Sequence, residues 1–478
     1  YVLTNFPYLN NGPKDLIGNS GKGKEYAYRS YFGRVMYSYA DRYLFQANIR
    51  HDGSSRFAKK HRWGTFPSFS AGWVLSEENF MKNLNWDWLS FLKIRATWGA
   101  LGNERIGDFP YMSTIAFGNT IFYQNNGIYF DQTASQQKYA IENVTWEKTE
   151  STDIGLDISF LNNRLRVNGD YYWKNTKDML LAMAIPDFLG FSDPDVNAGK
   201  MSTKGYELNV SWNDHIGDFS YGIAINFSDF PSKMGDLQGT QFLGDKVKME
   251  GSEFNEWYGY VSDGLFLTEE DLKNSPKIND KNTQLGDIKY KDISGPDGVP
   301  DGKISPEYDR VLLGSSLPHF LYGGNINLGY KNFDLSLAFQ GVGKQNARLA
   351  REMVEPFRNN YGNFPAIIDG NYWSPYNTDE QNAVAKYPRL THVNKSSNYA
   401  MSDYWLFNGG YFRLKNITLG YTFPKEWMNA IGIKGARIYA SASDLFCLSK
   451  YPKGWDPEMG VSEYPITTSI LLGVSVNF

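Results

Sequence analysis

Apolar and polar residues alternate with a period of two over long stretches of the chain. In YFGRVMYSYADRYLFQANIRHDGSSRF (31–57) the odd positions read Tyr31, Gly33, Val35, Tyr37 and Tyr39, against Phe32, Arg34, Met36 and Ser38. After Ala40 and Asp41 the pattern restarts as Tyr43, Phe45, Ala47 and Ile49, against Leu44, Gln46, Asn48 and Arg50. The same alternation returns over 152–160, 165–173, 206–212, 219–227, 320–330 and 333–339. A period of two means a strand with one wet and one apolar face. About thirteen strands are expected on this pattern, near 28–39, 42–52, 65–75, 91–102, 147–161, 164–174, 201–213, 218–229, 318–331, 333–342, 409–424, 434–446 and 465–478. Most exceed the usual strand length of about 5–6 residues and reach the roughly 9–11 that a tilted strand needs to cross a bilayer.

The connections sharpen this reading. Short turns at 40–41, 162–163, 214–217 and 331–332, with moderate ones at 76–90 and 425–433, alternate strictly with long segments at 53–64, 103–146, 175–200, 230–317, 343–408 and 447–464. Outer-membrane barrels sort their connections in this way, with short periplasmic turns and long extracellular loops. A soluble sandwich would use the same alternation but has no reason to sort its loops. Arg34 and Arg50 sit on the even faces, where a lipid midplane would cost each about 2–4 kcal/mol. The uncharged odd faces, ending in tyrosines, suit hydrocarbon and its interfacial aromatic belt. The expected fold is therefore all-β, a transmembrane antiparallel β-barrel with Val35, Phe45 and Ile49 towards lipid and Arg34, Gln46 and Asn48 towards a polar lumen. The last strand, TTSILLGVSVNF, alternates up to Phe478, and a terminal strand ending in Phe resembles the assembly signal of such barrels.

Composition removes other classes. The formal net charge is −4, which leaves no electrostatic footprint for nucleic acid. No window approaches the roughly 18 apolar residues of a transmembrane helix, an absence that says nothing against a barrel. The single cysteine, Cys447, lies between Phe446 and Leu448 and reads as an apolar filler. The chain starts at Tyr1, so either a targeting segment has been removed or a longer polypeptide precedes it.

The segments DGSSRFAKKHRWGTFPSFSAGWVLSEENF (52–80), LKIRATWGALGNERIGDFPY (92–111), WEKTESTDIGLDISFLNNRL (146–165), GDIKYKDISGPDGVPDGKISPEYDRVLLGSSLPHFLYGG (286–324) and YFRLKNITLGYTFP (411–424) resemble, in order, blocks of the SusC/RagA branch of TonB-dependent outer-membrane transporters. The resemblance implies a 22-stranded barrel with an N-terminal plug, a TonB-box segment that contacts the energy-coupling complex, and a SusD-like lipoprotein lid. It also implies active import of an oligomeric nutrient, glycan or peptide, by paired transporter–lid units. Neither plug nor TonB box is visible here. Counting back from Phe478 as the end of the last strand places 1–27 in an extracellular loop. It also places 28–478 in the C-terminal part of the barrel, with the plug and the N-terminal half of the same transporter upstream. The alternatives are a non-transporting receptor or adhesin barrel, and a barrel enzyme with a catalytic cluster at its mouth.

Candidate chemistry is confined to the loops. GNSGKGKE (18–25) approaches a phosphate-binding P-loop but has Glu25 where Ser or Thr should hold Mg2+, and no strand and helix flank it. DISGPDGVPDGKISPEYD (292–309) offers Asp292, Asp297, Asp301 and Asp309 as oxygen ligands for a structural Ca2+, outside the EF-hand register. The alternative for that loop is a self-hydrogen-bonded set of Asx turns. The five histidines show no zinc spacing, and no G-x-S-x-G elbow is present, so no catalytic residue is assigned. The ligand or partner candidates are the loop aromatics Trp257, Tyr258, Trp373, Tyr376, Tyr404 and Trp405, whose faces stack on sugar rings or anchor peptides and protein partners. The alternative for each is packing within the loops.

Overall fold

The computed structural model describes residues 21, 23–124, 127–136, 139–183, 185–239, 243–358, 362–459 and 463–478. Thirteen long strands follow one another in a single antiparallel sheet: β1 (Tyr28–Tyr39), β2 (Tyr43–Ser54), β3 (Trp63–Val74), β4 (Leu89–Asn103), β5 (Glu147–Phe160), β6 (Leu165–Lys177), β7 (Met201–Ile216), β8 (Phe219–Asp229), β9 (His319–Tyr330), β10 (Phe333–Lys344), β11 (Tyr411–Thr422), β12 (Gly435–Ser449) and β13 (Ser469–Asn477). Each expected strand is present near its expected place. The antiparallel barrel fold is thus found as read from the period. Among the described residues no helix is long and apolar enough to cross a membrane.

Local chemistry fixes the tight ends. Ala40 and Asp41 both take positive φ, 52° and 53°, the geometry that matches a two-residue turn to strand twist. Leu161, Asn162 and Asn163 do the same between β5 and β6, and Lys331 between β9 and β10.

The two faces differ as a bilayer demands. Val35, Ile154 and Val474 stand 63%, 50% and 70% exposed on the outer face. On the inner face Arg95 of β4 reaches across Gly155 of β5 to Asp170 of β6, with Nη2 2.7 Å from Oδ2, and lies near Asp153 and Asp157. A Cβ at position 155 would strike that guanidinium, so glycine is what lets the arginine span two strands.

β1 pairs only with β2, and β13 only with β12, so the described sheet has two free edges. The short connections lie at one end of the strands and the long ones at the other. Segment 104–146, expected to be loop, carries a hairpin, Ile115–Gln124 with Gly127–Gln136. One face of it sets Ile115, Ile121, Tyr123, Ile128 and Phe130 towards solvent, all more than 60% exposed. Segments 230–318 and 345–410 fold together into an outer layer with its own core around Tyr260, Ile288, Tyr290, Val354, Tyr399 and Trp405. Residues 1–20 and 22 lie outside the described residues, and with them most of the expected loop 1–27 and half of the P-loop-like stretch 18–25.

Candidate functional site

The outer layer is organised by one buried carboxylate. Asp287, 1% exposed, accepts from Arg389 Nε at 2.7 Å and Nη2 at 3.1 Å. It also accepts from Asn394 Nδ2 at 2.8 Å, Asn398 Nδ2 at 2.9 Å and the Gln284 backbone N–H at 2.9 Å. A buried charge is tolerable only when paired and hydrogen-bonded, and here both carboxylate oxygens are fully used. Asn398 in turn accepts from the Ile288 N–H at 3.0 Å, and its carbonyl receives the Trp405 indole N–H at 2.9 Å. One loop is thereby sewn to the other across about a hundred residues.

Arg389 also faces a cleft of about 590 Å3 lined by Glu269, Gln284, Trp373, Pro375 and Tyr376. Two of its aromatics are supported in different ways. Trp373 lies over Gly286, which has φ +83° and no room for a Cβ beneath the indole. Tyr376 is 97% exposed on a turn tied by Asn382, which accepts from the Ser374 N–H at 3.1 Å and donates to the Ser374 carbonyl at 3.0 Å. Thr378 and Gln381 then cap the helix Asp379–Ala383 reciprocally. The turn fixes the Tyr376 backbone, and a tyrosine has only two side-chain torsions to order on binding.

The remaining aromatic candidates are placed differently. Trp405 is 1% exposed at the centre of the layer, stacked on Tyr399 at 5.1 Å. Tyr404 donates its hydroxyl to the Lys386 carbonyl at 2.9 Å. Burial pushes both the Tyr399 and Tyr404 phenols well above their ordinary pKa, so they remain donors. The Trp257 indole N–H bonds the Asn346 carbonyl, and Tyr258 packs under the Arg310 guanidinium at 4.4 Å. The structure brings only Trp373 and Tyr376 together at one cleft. A wider concavity between β2 and β4, lined by Gln46, Asn48, Arg50, Ser68 and Thr97, is the curved inner wall of the sheet.

In the acidic loop the carboxylates serve the backbone. Asp309, fully buried, accepts from the Ile293 N–H at 2.7 Å, the Ser294 N–H at 3.3 Å and the Ser305 N–H at 2.7 Å. Asp292 accepts from the Gly302 N–H at 2.5 Å and Asp301 from the Lys303 N–H at 3.0 Å, while Asp297 is exposed on the turn. Among the described residues no group of three or more His, Cys, Asp or Glu side chains is arranged to hold a metal.

Glu355 supplies a pH dependence. Burial opposes its charge, but Arg351 at 2.6 Å and Lys395 at 3.3 Å outweigh that and hold its carboxyl below the usual range. A depressed carboxylate stabilises the fold fully above its unfolded-state value, about 4.3, and that support is lost as pH falls through the lower folded-state value. Acidification below about pH 4 should therefore loosen 351–399 before the barrel strands. In Glu355→Gln that acid-side step should vanish. Hydrogen exchange by peptide across a pH series measures both.

A long antiparallel sheet with an apolar outer face, a charged inner face and all its long loops at one end is the wall of an outer-membrane β-barrel. The profile of the family described as "TonB dependent receptor-like, beta-barrel" matches residues 3–445, and the chain belongs to that family, whose members are outer-membrane proteins of Gram-negative bacteria. It is 32% identical over 468 residues to the TonB-dependent receptor SusC of Bacteroides thetaiotaomicron, covering 94% of this chain and 43% of SusC. It is 31% identical over 453 residues to the TonB-dependent receptor P3 of Formosa agariphila, covering 90% of this chain and 42% of the relative. The chain thus spans less than half the length of these curated relatives. The solved RagAB peptide transporter superposes with a TM-score of 0.77 at 23% identity over 97% of this chain and 49% of its own, a likeness of fold. The SusC/RagA character read from the sequence blocks agrees with these matches.

Proposed function

We propose that this chain supplies lumen wall and mouth loops to a TonB-dependent importer of an oligomeric nutrient, glycan or peptide, working with a SusD-like surface lipoprotein. The observation that carries this reading is the cleft at Trp373 and Tyr376, on the loop side of a barrel with a polar lumen. Import of something larger than a porin passes needs a binding step at the mouth before energy is used. Flat aromatic faces beside Glu269, Gln284 and Arg389 suit sugar rings or peptide side chains. The apolar face of the 115–136 hairpin is a surface for the lid, since a two-stranded hairpin with one greasy side is marginal in water. The free edges of β1 and β13 could not sit unpaired in hydrocarbon, so the remainder of the same transporter pairs with them. That remainder carries the plug on which TonB acts, and transporter–lid units associate in pairs.

The test is the double substitution Trp373→Ala with Tyr376→Ala in the complete transporter with its lid. Binding to panels of oligosaccharides and oligopeptides should weaken by about thirtyfold, the loss of an aromatic anchor worth about 2 kcal/mol. The panel member affected names the substrate class. Unchanged binding and uptake across both panels would reject the cleft as the recognition site.

A further inference from the structure

Two connections at the tight end of this sheet are longer than the rest: 75–88 between β3 and β4, and 423–434 between β11 and β12, which carries the helix Lys425–Ala430. Where 217–218 and 331–332 turn in two residues, 75–88 forms a 3-10 turn, Leu75–Glu77, and a helical turn, Asn79–Lys82. We propose that this segment is a membrane-interface anchor, folded outward from the barrel so that Phe80, Leu84, Trp86 and Trp88 enter the headgroup region of the phospholipid leaflet on the short-turn side.

The direction of the fold is fixed by one carboxylate. Tyr43 and Trp73 are paired neighbours on the lipid-facing side of β2 and β3, with their rings stacked 6.4 Å apart. Glu78 accepts the Tyr43 hydroxyl at 2.5 Å, the Trp73 indole N–H at 3.0 Å and Arg42 Nη1 at 3.1 Å. It is itself buried. The turn is therefore clipped to the outer wall rather than folded beneath the lumen, and the polar ends of two belt aromatics are satisfied without water.

What the clip presents is largely apolar. Phe80 and Leu84 are 54% and 47% exposed, and Trp86 and Trp88 are 44% and 49% exposed. Trp86 and Trp88 stack 5.3 Å apart, and Trp88 stacks 5.7 Å from Phe160 at the end of the lipid-facing row of β5. Through Trp88 and Phe160 the two indoles adjoin the lipid-facing surface, and this continuity selects a lipid surface over a protein as the occupant. Lys82 is paired with Glu77 at 2.7 Å, and Asp87 stands exposed between Trp86 and Trp88 in the sequence, so the segment mixes rings with charges as a wet–dry boundary does. Indole rings favour the headgroup depth, where one edge is dry and the other wet.

The complete transporter in native outer membranes, loaded with a phospholipid bearing a photoreactive group near its glycerol, tests this. Cross-links read by peptide mass spectrometry are expected within 79–88 and absent from lumen-facing Asn48. Glu78→Ala, which opens the clip, should abolish the cross-links within 79–88 while leaving those to Ile154 in place. If that variant fails to assemble, Trp86→Ser should remove the cross-link at its own position. Cross-linking of 79–88 to a periplasmic protein instead of lipid, or no lipid adduct there while Ile154 reacts, would overturn the proposal.

Discussion

Asp287→Ala is expected to release the outer-loop layer while the barrel strands stay paired. The substitution leaves the fully buried amides of Asn394 and Asn398 without an acceptor, and strips Arg389 of the carboxylate that balances it. Removing one partner of a buried charge pair costs about 3–5 kcal/mol, and the two orphaned amides add to that. Asp287→Asn should not rescue, because its NH2 group would point a donor at donors. Hydrogen exchange should rise over 284–290 and 389–405 and stay low in β9 to β12. Retained protection in the loops would mean that the apolar core around Trp405 holds the layer without its polar tie. Because Arg389 also lines the Trp373–Tyr376 cleft, ligand binding should fall in the same variant.

The second large effect is expected at Arg413→Met. Arg413 is 2% exposed on the lumen side of β11, opposite Gln340. Its Nη2 lies 2.6 Å from Asp456 and its Nε 2.6 Å from Glu458, the latter an ion pair too poorly aligned for a directed hydrogen bond. Lys415 completes the cluster at 2.7 Å from Asp444. Methionine keeps the volume but leaves three carboxylates around one ammonium, at a cost of about 3–5 kcal/mol. The loop after β12 should then swing free of the lumen wall, and trypsin should cut at Lys450 and Lys453 in intact cells. A triple variant that also carries Asp456→Asn and Glu458→Gln should recover much of the lost stability, since the repulsion is removed together with the attraction. Protease resistance in the single variant would show that the loop is held by something other than this cluster.

The strands were legible because their signal is local and repeated. Thr152 to Phe160 alternates in a way that only a two-faced strand explains, and the asymmetry of connection lengths then decided between lipid and a soluble core. The 115–136 hairpin was missed, because its two runs lie inside a segment read as one loop. The site was much less legible. Residue type alone cannot separate Trp405 from Trp373, because burial in the outer layer depends on contacts such as Asp287 to Asn398 that lie 111 residues apart. Nor did the sequence mark Asp287, which looks like any loop aspartate until Arg389, Asn394 and Asn398 converge on it. In 292–309 the choice between cation ligands and Asx turns rests on where the backbone N–H groups point, which side-chain spacing does not encode.

The sorting of tight turns to one end of the sheet also sets a chronology for folding. The hairpins β1–β2, β5–β6, β7–β8 and β9–β10 each close over a few residues, whereas joining β8 to β9 or β10 to β11 must first close 230–318 or 345–410. At about 0.6 kcal/mol per doubling of loop length, these closures cost about 3 kcal/mol more than a two-residue turn. Hairpins should therefore form early and be stitched together late, with the outer layer condensing last, once β8, β9, β10 and β11 have brought its two halves side by side.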